Sequence, residues 1–214
     1  MRSSSSSSSK GAPSSPYQRI QSSQQFVDPT TKLHVRNPVV DFGMLRKSLA
    51  AREVRTLAQL HNTGRGIGQL PPKDEIDTCG VLSFKSGEKR SGSGGGSGYS
   101  VWRLSDLETA QSTVTLLLFG EAHEAHARLP LGTLLLVMGA TPKDDDSSSG
   151  GGGGGGGGEK RVACSVSEKW QLVVIGDALD FGTCRGVRKD GLKCSIPVNK
   201  SNCDFCRYHL PKTT

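Results

Sequence analysis

The C-terminal fold is decided by the sequence Gly182-Thr-Cys184-Arg-Gly-Val-Arg-Lys-Asp-Gly-Leu-Lys-Cys194, followed after eight residues by Cys203-Asp-Phe-Cys206-Arg-Tyr-His209. This run holds four of the six cysteines and one of the five histidines. A tetrahedral zinc ion needs four such ligands. Cys206 and His209 are three residues apart, so one helical turn would place them on the same face. We predict one structural Zn²⁺ held by Cys184, Cys194, Cys206 and His209, with Cys203 as the alternative to Cys206.

Other roles for these cysteines agree less well with the sequence. Buried free thiols are common in protein cores, but this cluster has no apolar surroundings. Disulfides would require a secreted protein, and the Ser-rich first residues are expected not to form a signal peptide because they lack an apolar segment. A catalytic zinc keeps one position open to water. Four protein ligands within reach therefore favour a closed structural site.

Positive charge is concentrated around the cysteines. The chain carries a net charge of +7, and residues 182–214 contain seven basic and two acidic side chains. A basic cluster around a metal-bound loop favours a polyanionic partner, most commonly nucleic acid. The alternative is a solvated surface that only keeps the protein soluble. No stretch approaches the roughly 20 apolar residues of a membrane helix, so no membrane association is predicted.

The middle of the chain shows the periodicity of β-strands. Apolar and alternating stretches predict five strands, at 81–85, 99–104, 113–119, 134–138 and 170–175, the last with Val162 as an alternative start. A short helix is predicted at 121–128, between the third and fourth strands. This order is that of an OB-fold, a small Greek-key barrel that binds ligands on the face of strands two and three. The predicted fold class is mainly β: a five-stranded OB-fold barrel with an N-terminal helical arm and a small C-terminal zinc finger.

Composition divides the chain into four predicted parts. Residues 1–27 form a Ser/Gln-rich tail too poor in apolar side chains to order. Residues 28–78 form an arm that packs on the barrel, with a helix that breaks near 50–53 and a linker around 64–68. Residues 79–181 form the OB-fold, with glycine-rich loops at 86–98 and 142–160. Residues 182–214 form the CCCH zinc finger.

The sequence shows no catalytic constellation. His123-Glu-Ala-His126 is one residue short of the His-Glu-x-x-His motif of metalloproteases, and we expect it on a solvent-exposed helix face. Cys79 and Cys164 lie in predicted strand contexts with no histidine nearby in sequence. Paired carboxylates, a Ser/His/Asp set and a Walker loop are missing at useful spacing. We therefore predict neither an enzyme nor a small-molecule substrate.

Three stretches carry a family resemblance: Trp102–Leu107, Phe119–His126 and Gly176–His209. Together they resemble the internal domain of the minichromosome maintenance protein 10 family, over about residues 28–209. The resemblance implies a nuclear factor in the initiation and elongation of eukaryotic DNA replication, whose OB-fold and finger bind single- and double-stranded DNA. It also implies contacts with the replicative helicase and with DNA polymerase alpha.

Eight side chains are expected to contact nucleic acid. Tyr99 falls where the family has an aromatic residue on the second strand, and a base stacked on such a ring gains about 1–3 kcal/mol. Arg188 and Lys189 match a lysine-rich stretch of the family finger. The full set is Lys85, Lys89, Arg90, Tyr99 and Arg103 on the barrel and Arg188, Lys189 and Lys193 on the finger. The alternative hypothesis is a zinc-stabilised protein-interaction module with only incidental DNA affinity, whose charge steers acidic partners.

Overall fold

The computed structural model describes residues 25–50, 52–62, 75–90, 98–108, 112–143 and 162–210. Most of the predicted tail, the predicted linker at 64–68 and most of the second glycine-rich loop lie outside these residues. The arm contains β1 (Phe26–Val27), β2 (His34–Arg36), α1 (Phe42–Leu49), β3 (Val54–Arg55) and α2 (Leu57–Asn62). The barrel region contains β4 (Ile76–Lys85), β5 (Lys89–Arg90), β6 (Gly98–Ser105), β7 (Thr113–Leu118), α3 (Gly120–His126), β8 (Thr133–Lys143), β9 (Val162–Val166) and β10 (Leu172–Ala178). The finger contains β11 (Phe181–Thr183) and β12 (Pro197–Asn199).

Five strands close the barrel in the order β4, β6, β7, β9, β8 and back to β4. The β7–β9 pair is parallel and the other four pairs are antiparallel. Helix α3 lies between the third and fourth strands, as the sequence predicted. The predicted fold class is therefore confirmed: a mainly β protein with an OB-fold barrel.

The predicted fifth strand at 170–175 corresponds to β10, but the strand that closes the barrel is β9, which begins at the alternative start Val162. A 3₁₀ turn, Lys169–Gln171, separates β9 from β10. The Gln171 side chain accepts the N–H groups of Ser167 and Glu168 at 2.8 and 3.0 Å and donates to the Gly139 carbonyl at 2.6 Å. This network interrupts the strand and turns Trp170 outward, leaving it 54% exposed. Strand β10 then pairs with β8 along the same edge that β9 uses, and it lies outside the closed ring of five strands.

Two apolar clusters build this part of the molecule. The first fills the barrel around the fully buried Trp102 and includes Leu82, Leu104, Leu116 and Leu135. The second covers the outer face of β4, β8 and β10 and joins them to the arm, through Leu33, Val35, Val81, Leu134 and Ile175.

Helix α1 holds the arm against the second cluster. Asp41 caps the helix by accepting the Met44 N–H at 2.8 Å. Leu45 and Leu49 are half-buried and pack on the cluster, as their helical spacing predicted. The chain leaves the helix after Leu49, in agreement with the predicted break.

Candidate metal centre and nucleic-acid interface

The structure brings Cys184, Cys194, Cys206 and His209 together, with their ligand atoms all within 4.8 Å of one another. His209 Nδ1 lies 3.3 Å from the Sγ atoms of both Cys184 and Cys206, and the Sγ atoms of Cys194 and Cys206 are 4.0 Å apart. Tetrahedral zinc, with Zn–S of about 2.3 Å and Zn–N of about 2.0 Å, requires S···S near ~3.8 Å and S···N near ~3.5 Å. The four residues therefore fit one zinc ion. Cys203 is not among them. The sequence left open whether Cys203 or Cys206 is the ligand, and the structure favours Cys206.

Two hairpins and a following turn carry the four side chains. Strands β11 and β12 form a small separate sheet, and the Cys184 N–H donates to the Ile196 carbonyl at 2.9 Å. The basic loop folds back on itself through a bridge between Val187 and Lys193. The predicted turn from Cys206 to His209 is present, because the His209 N–H donates to the Cys206 carbonyl at 2.8 Å.

The Cys184 sulfur accepts backbone hydrogen bonds that favour its thiolate form. Burial raises the pKa of Cys184, but hydrogen bonds from the backbone N–H groups of Cys206 (3.2 Å) and Gly186 (3.3 Å) outweigh it and lower the pKa to about 6. For Cys206, burial raises the pKa to about 11. Zinc binds cysteine as the thiolate, so Cys184, Cys194 and Cys206 would all hold the metal in that form, and the hydrogen bonds to Cys184 favour it there.

The outer face of β6 carries two of the predicted barrel contacts, Tyr99 and Arg103. Tyr99, Val101 and Arg103 point outward while Trp102 and Leu104 point into the barrel, the division that strand alternation predicts. The ring of Tyr99 stacks on Phe119, with centroids 5.4 Å apart. The guanidinium of Arg103 lies over the ring of Phe84, 4.9 Å from its centroid.

A family model described as MCM10 OB-fold matches residues 31–154, and one described as primase zinc finger matches residues 176–213. The chain belongs to the MCM10 family. It is 29% identical over 186 residues to the Homo sapiens protein MCM10 homolog, covering 86% of this chain and 19% of the relative. The Drosophila melanogaster homolog is 30% identical over 187 residues, covering 86% of this chain and 22% of the relative. The chain thus spans about a fifth of the length of these curated relatives.

Family membership and the ligand geometry together assign one structural Zn²⁺ to this MCM10-family domain. Its ligands come from three short segments of the finger, and these segments together do not build a large apolar core. The ion would therefore supply the cross-link that packing does not provide, since small fingers are commonly unfolded without metal.

Of the other barrel cations, the structure brings Lys89 to the face of Tyr99. Lys89 and Arg90 form the short strand β5, in which Lys89 pairs with Tyr99 and Arg90 with Gly98, and both side chains are exposed. Since side chains alternate along a strand, Lys89 shares the face of Tyr99 and Arg90 lies on the opposite face.

Lys85 is not brought to this face. A one-residue bulge between Leu82 and Phe84 reverses the alternation, so Lys85 pairs with Trp102 and lies over the Trp102 ring, 5.4 Å from its centroid. Its ammonium donates to the carbonyls of Ala127 and Leu129 at 2.5 and 2.8 Å, at the end of α3. Burial lowers the pKa of Lys85. Its expected phosphate contact stays a prediction, and its observed contacts are structural.

The finger presents its three predicted cations on the exposed hairpin. Arg188 pairs with Asp190 at 2.7 Å, which orders its guanidinium at the tip, and Lys189 and Lys193 are exposed beside it. The turn is closed by Gly191 at φ +80°, a conformation that favours glycine.

A groove joins the barrel to the finger. It encloses about 310 Å³ and is lined on the barrel side by Leu107 and Glu108, which follow β6, and on the finger side by residues that include Asn202, Phe205 and Arg207. The segment that follows β6 thus lies against the finger.

Two aromatic contacts of this face were missed by the sequence analysis. Phe119 continues the outward alternation of Leu117 on β7, so the period-two pattern could have found it. Phe84 reaches the face only because of the bulge, which the sequence pattern did not indicate.

The expectation for His123-Glu-Ala-His126 is wrong. His126 is buried and its Nε2 lies 3.1 Å from the Lys169 carbonyl, while His123 Nδ1 lies 3.1 Å from the Ser100 hydroxyl. Helix α3 packs Ala122 and His126, four residues apart, against the barrel end. Both histidines have structural contacts.

None of the helices in the described segments is long and apolar enough to cross a membrane.

Proposed function

We propose that this chain is the DNA-binding part of a non-catalytic replication scaffold, acting in the nucleus on single- and double-stranded DNA. The observation that carries the proposal is that the finger lies against the segment that follows β6, with a groove between them. Strand β6 carries an aromatic and basic outer face, and the finger carries a basic hairpin whose ends fit a zinc site. Family membership supports the assignment to replication.

The barrel face offers both types of contact that a single strand uses. Tyr99 offers a ring for base stacking, and its partner Phe119 keeps that ring in place. Lys89 lies on the same face as Tyr99, where it can contact a phosphate, and the exposed Arg90 adds a second charge at the next position of β5. Binding of this kind tolerates any base sequence, because every base has a face that can stack.

The finger adds charge at a fixed position. Arg188, Lys189 and Lys193 project from a loop whose two ends are held by Cys184 and Cys194. The role of zinc is to order this loop, so the metal takes no part in a chemical step. Charge supplied in this way makes binding strongly salt-dependent through counterion release.

The wider role follows from the family. We propose that the longer protein links the replicative helicase to DNA polymerase alpha during the initiation and elongation of replication. In this arrangement the present domain holds DNA while other surfaces contact the enzymes.

The test is the anisotropy of a labelled 20-nucleotide single strand with the variant Arg188→Glu/Lys189→Glu. Its matched control is Arg46→Glu/Lys47→Glu, which makes the same charge change at an exposed Arg-Lys pair on α1. We expect the finger variant to bind about tenfold more weakly, with a salt slope shallower by about 1.4 for two lost phosphate contacts. The control should bind like wild type, and equal affinity of both variants would contradict a role for the finger.

A second candidate is a protein-interaction module with incidental DNA affinity. The exposure of Trp170, beside the apolar side chains of Val39 and Val173, favours it. DNA affinity that vanishes at moderate salt and does not depend on oligonucleotide length would support this candidate over the first.

A further inference from the structure

Asp180 occupies the two-residue connection between the barrel strand β10 and the finger strand β11. Connections between folded units are usually exposed and make few contacts. Asp180 is instead buried, with 3% of its surface exposed. A buried carboxylate is stable only when its oxygens are hydrogen-bonded.

The carboxylate of Asp180 joins two parts of the chain that are distant in sequence. Its Oδ2 atom accepts the backbone N–H of His34, on the arm strand β2, at 2.6 Å and lies 3.1 Å from His34 Nδ1. Its Oδ1 atom accepts the hydroxyl of Ser201, which follows the finger strand β12. One side chain therefore contacts arm and finger from the connection itself.

Backbone contacts reinforce this junction on both sides. The Asp180 carbonyl accepts the Lys200 N–H at 2.8 Å, and the His34 carbonyl accepts the Leu179 N–H at 2.8 Å. The neighbouring Phe181 ring packs so closely on Gly132 that a Cβ atom there would lie 2.8 Å from it. The connection thus has a defined conformation.

We propose that Asp180 is a positioning residue that fixes the finger relative to the barrel, so that one DNA strand can occupy both units. This inference rests on the proposed function and adds to it the residue that sets the geometry. The hydrogen bonds from Ser201 and His34 also keep the carboxylate charged, since they overcome the effect of burial and lower the pKa of Asp180.

The consequence concerns binding length. Two linked sites bind a long ligand more tightly than either site alone, but only while their geometry allows both to engage. A loosened junction lowers the effective concentration of the second site and leaves each separate site intact. The affinity for a short strand therefore reports on a single unit, and the affinity for a long strand reports on the junction.

The test compares Asp180→Asn with Asp77→Asn in the whole chain. Asp77 is a matched control, because it is also a buried carboxylate that joins the arm to the barrel. It accepts from Arg52 of the arm (3.0 Å) and from the Gly139 N–H of β8 (2.7 Å), and it has no finger contact among the described hydrogen bonds. Each protein is titrated with single strands of about 6 and about 20 nucleotides, since one OB-fold covers about 4–16. We expect Asp180→Asn to weaken binding of the long strand about tenfold and of the short strand less than twofold. Asp77→Asn should change both affinities by the same factor.

Hydrogen exchange gives a readout that needs no DNA. In Asp180→Asn the amides of His34 and Lys200 should exchange faster, with zinc content retained. Ser201→Ala removes one bond from an exposed residue and should show a smaller effect of the same kind, which keeps the test usable if Asp180→Asn does not fold. Unchanged exchange, or faster exchange with an undiminished preference for the long strand, would overturn the inference and leave the proposed function standing. Wild-type protein that binds neither strand would overturn the proposed function and, with it, the role of Asp180 in DNA binding.

Discussion

Tyr99 and Phe119 stack with their ring planes inclined by 25°. Tyr99 comes from β6 and Phe119 from the end of β7, so the contact spans the two strands that form the ligand face of an OB-fold. Phe119 fixes one side of the tyrosine ring, which reduces the ordering cost when a base binds to the exposed side. The pair is thus a preformed stacking surface.

The first prediction concerns this stacking surface. Tyr99→Ala should lower the affinity for single-stranded DNA by about 1–3 kcal/mol, because a stacked base is lost. Tyr99→Phe retains the ring and should bind like wild type. Titration of a labelled single strand at fixed salt measures both. Equal losses in the two variants would point to the hydroxyl and contradict stacking.

A second prediction separates the two candidate cysteines. Cys206→Ser should lose stoichiometric zinc and weaken DNA binding, because it removes a ligand of the closed site. Cys203→Ser should keep one zinc per chain, since Cys203 lies outside the cluster and its Sγ accepts the Phe205 N–H at 3.3 Å. Metal analysis and anisotropy on the same samples give the result. Loss of zinc in the Cys203 variant would contradict the ligand set.

The third prediction concerns Trp102 at the centre of the barrel. Trp102→Ala should reduce the free energy of unfolding by about 3–5 kcal/mol through the cavity it leaves. The Trp102 Nε1 atom finds no hydrogen-bond partner among the described residues, so Trp102→Phe loses volume but no hydrogen bond. Trp102→Phe should therefore be the milder change. Denaturant unfolding compares them, and a phenylalanine variant as unstable as the alanine variant would show that the indole N–H is satisfied.

The sequence allowed the zinc ligands and most of the barrel to be predicted. Strand alternation gave the two faces of β6 correctly because Trp102 and Leu104 are apolar and Arg103 is not. The spacing from Cys206 to His209 gave their shared turn. These features depend on local periodicity, which a single sequence contains.

The errors arise where a distant contact overrides the local pattern. The 3₁₀ turn that separates β9 from β10 depends on Gln171 reaching Gly139, 32 residues away, so apolar periodicity alone did not show that this stretch holds two strands. The placement of Lys85 depends on a bulge that a strict alternation does not include. The nucleic-acid contacts and the four-part division of the chain stay predictions, since they concern a ligand and boundaries rather than the fold.

The last prediction concerns pH and His126. Burial lowers the pKa of His126 below its ordinary value of 6.5, because the charged ring is disfavoured at the barrel end. The neutral ring therefore adds stability that is present above about pH 6.5 and is lost as the pH falls toward the lower folded pKa. His126→Asn removes this titration, so wild type should lose more stability than the variant between pH 7.5 and 5.5. Thermal unfolding at the two pH values measures the loss of stability in each protein. Comparing the two losses removes any effect of acid on the zinc site, because both proteins contain that site. The control His123→Asn should follow wild type, and parallel pH profiles of wild type and His126→Asn would show that His126 is not the titrating group.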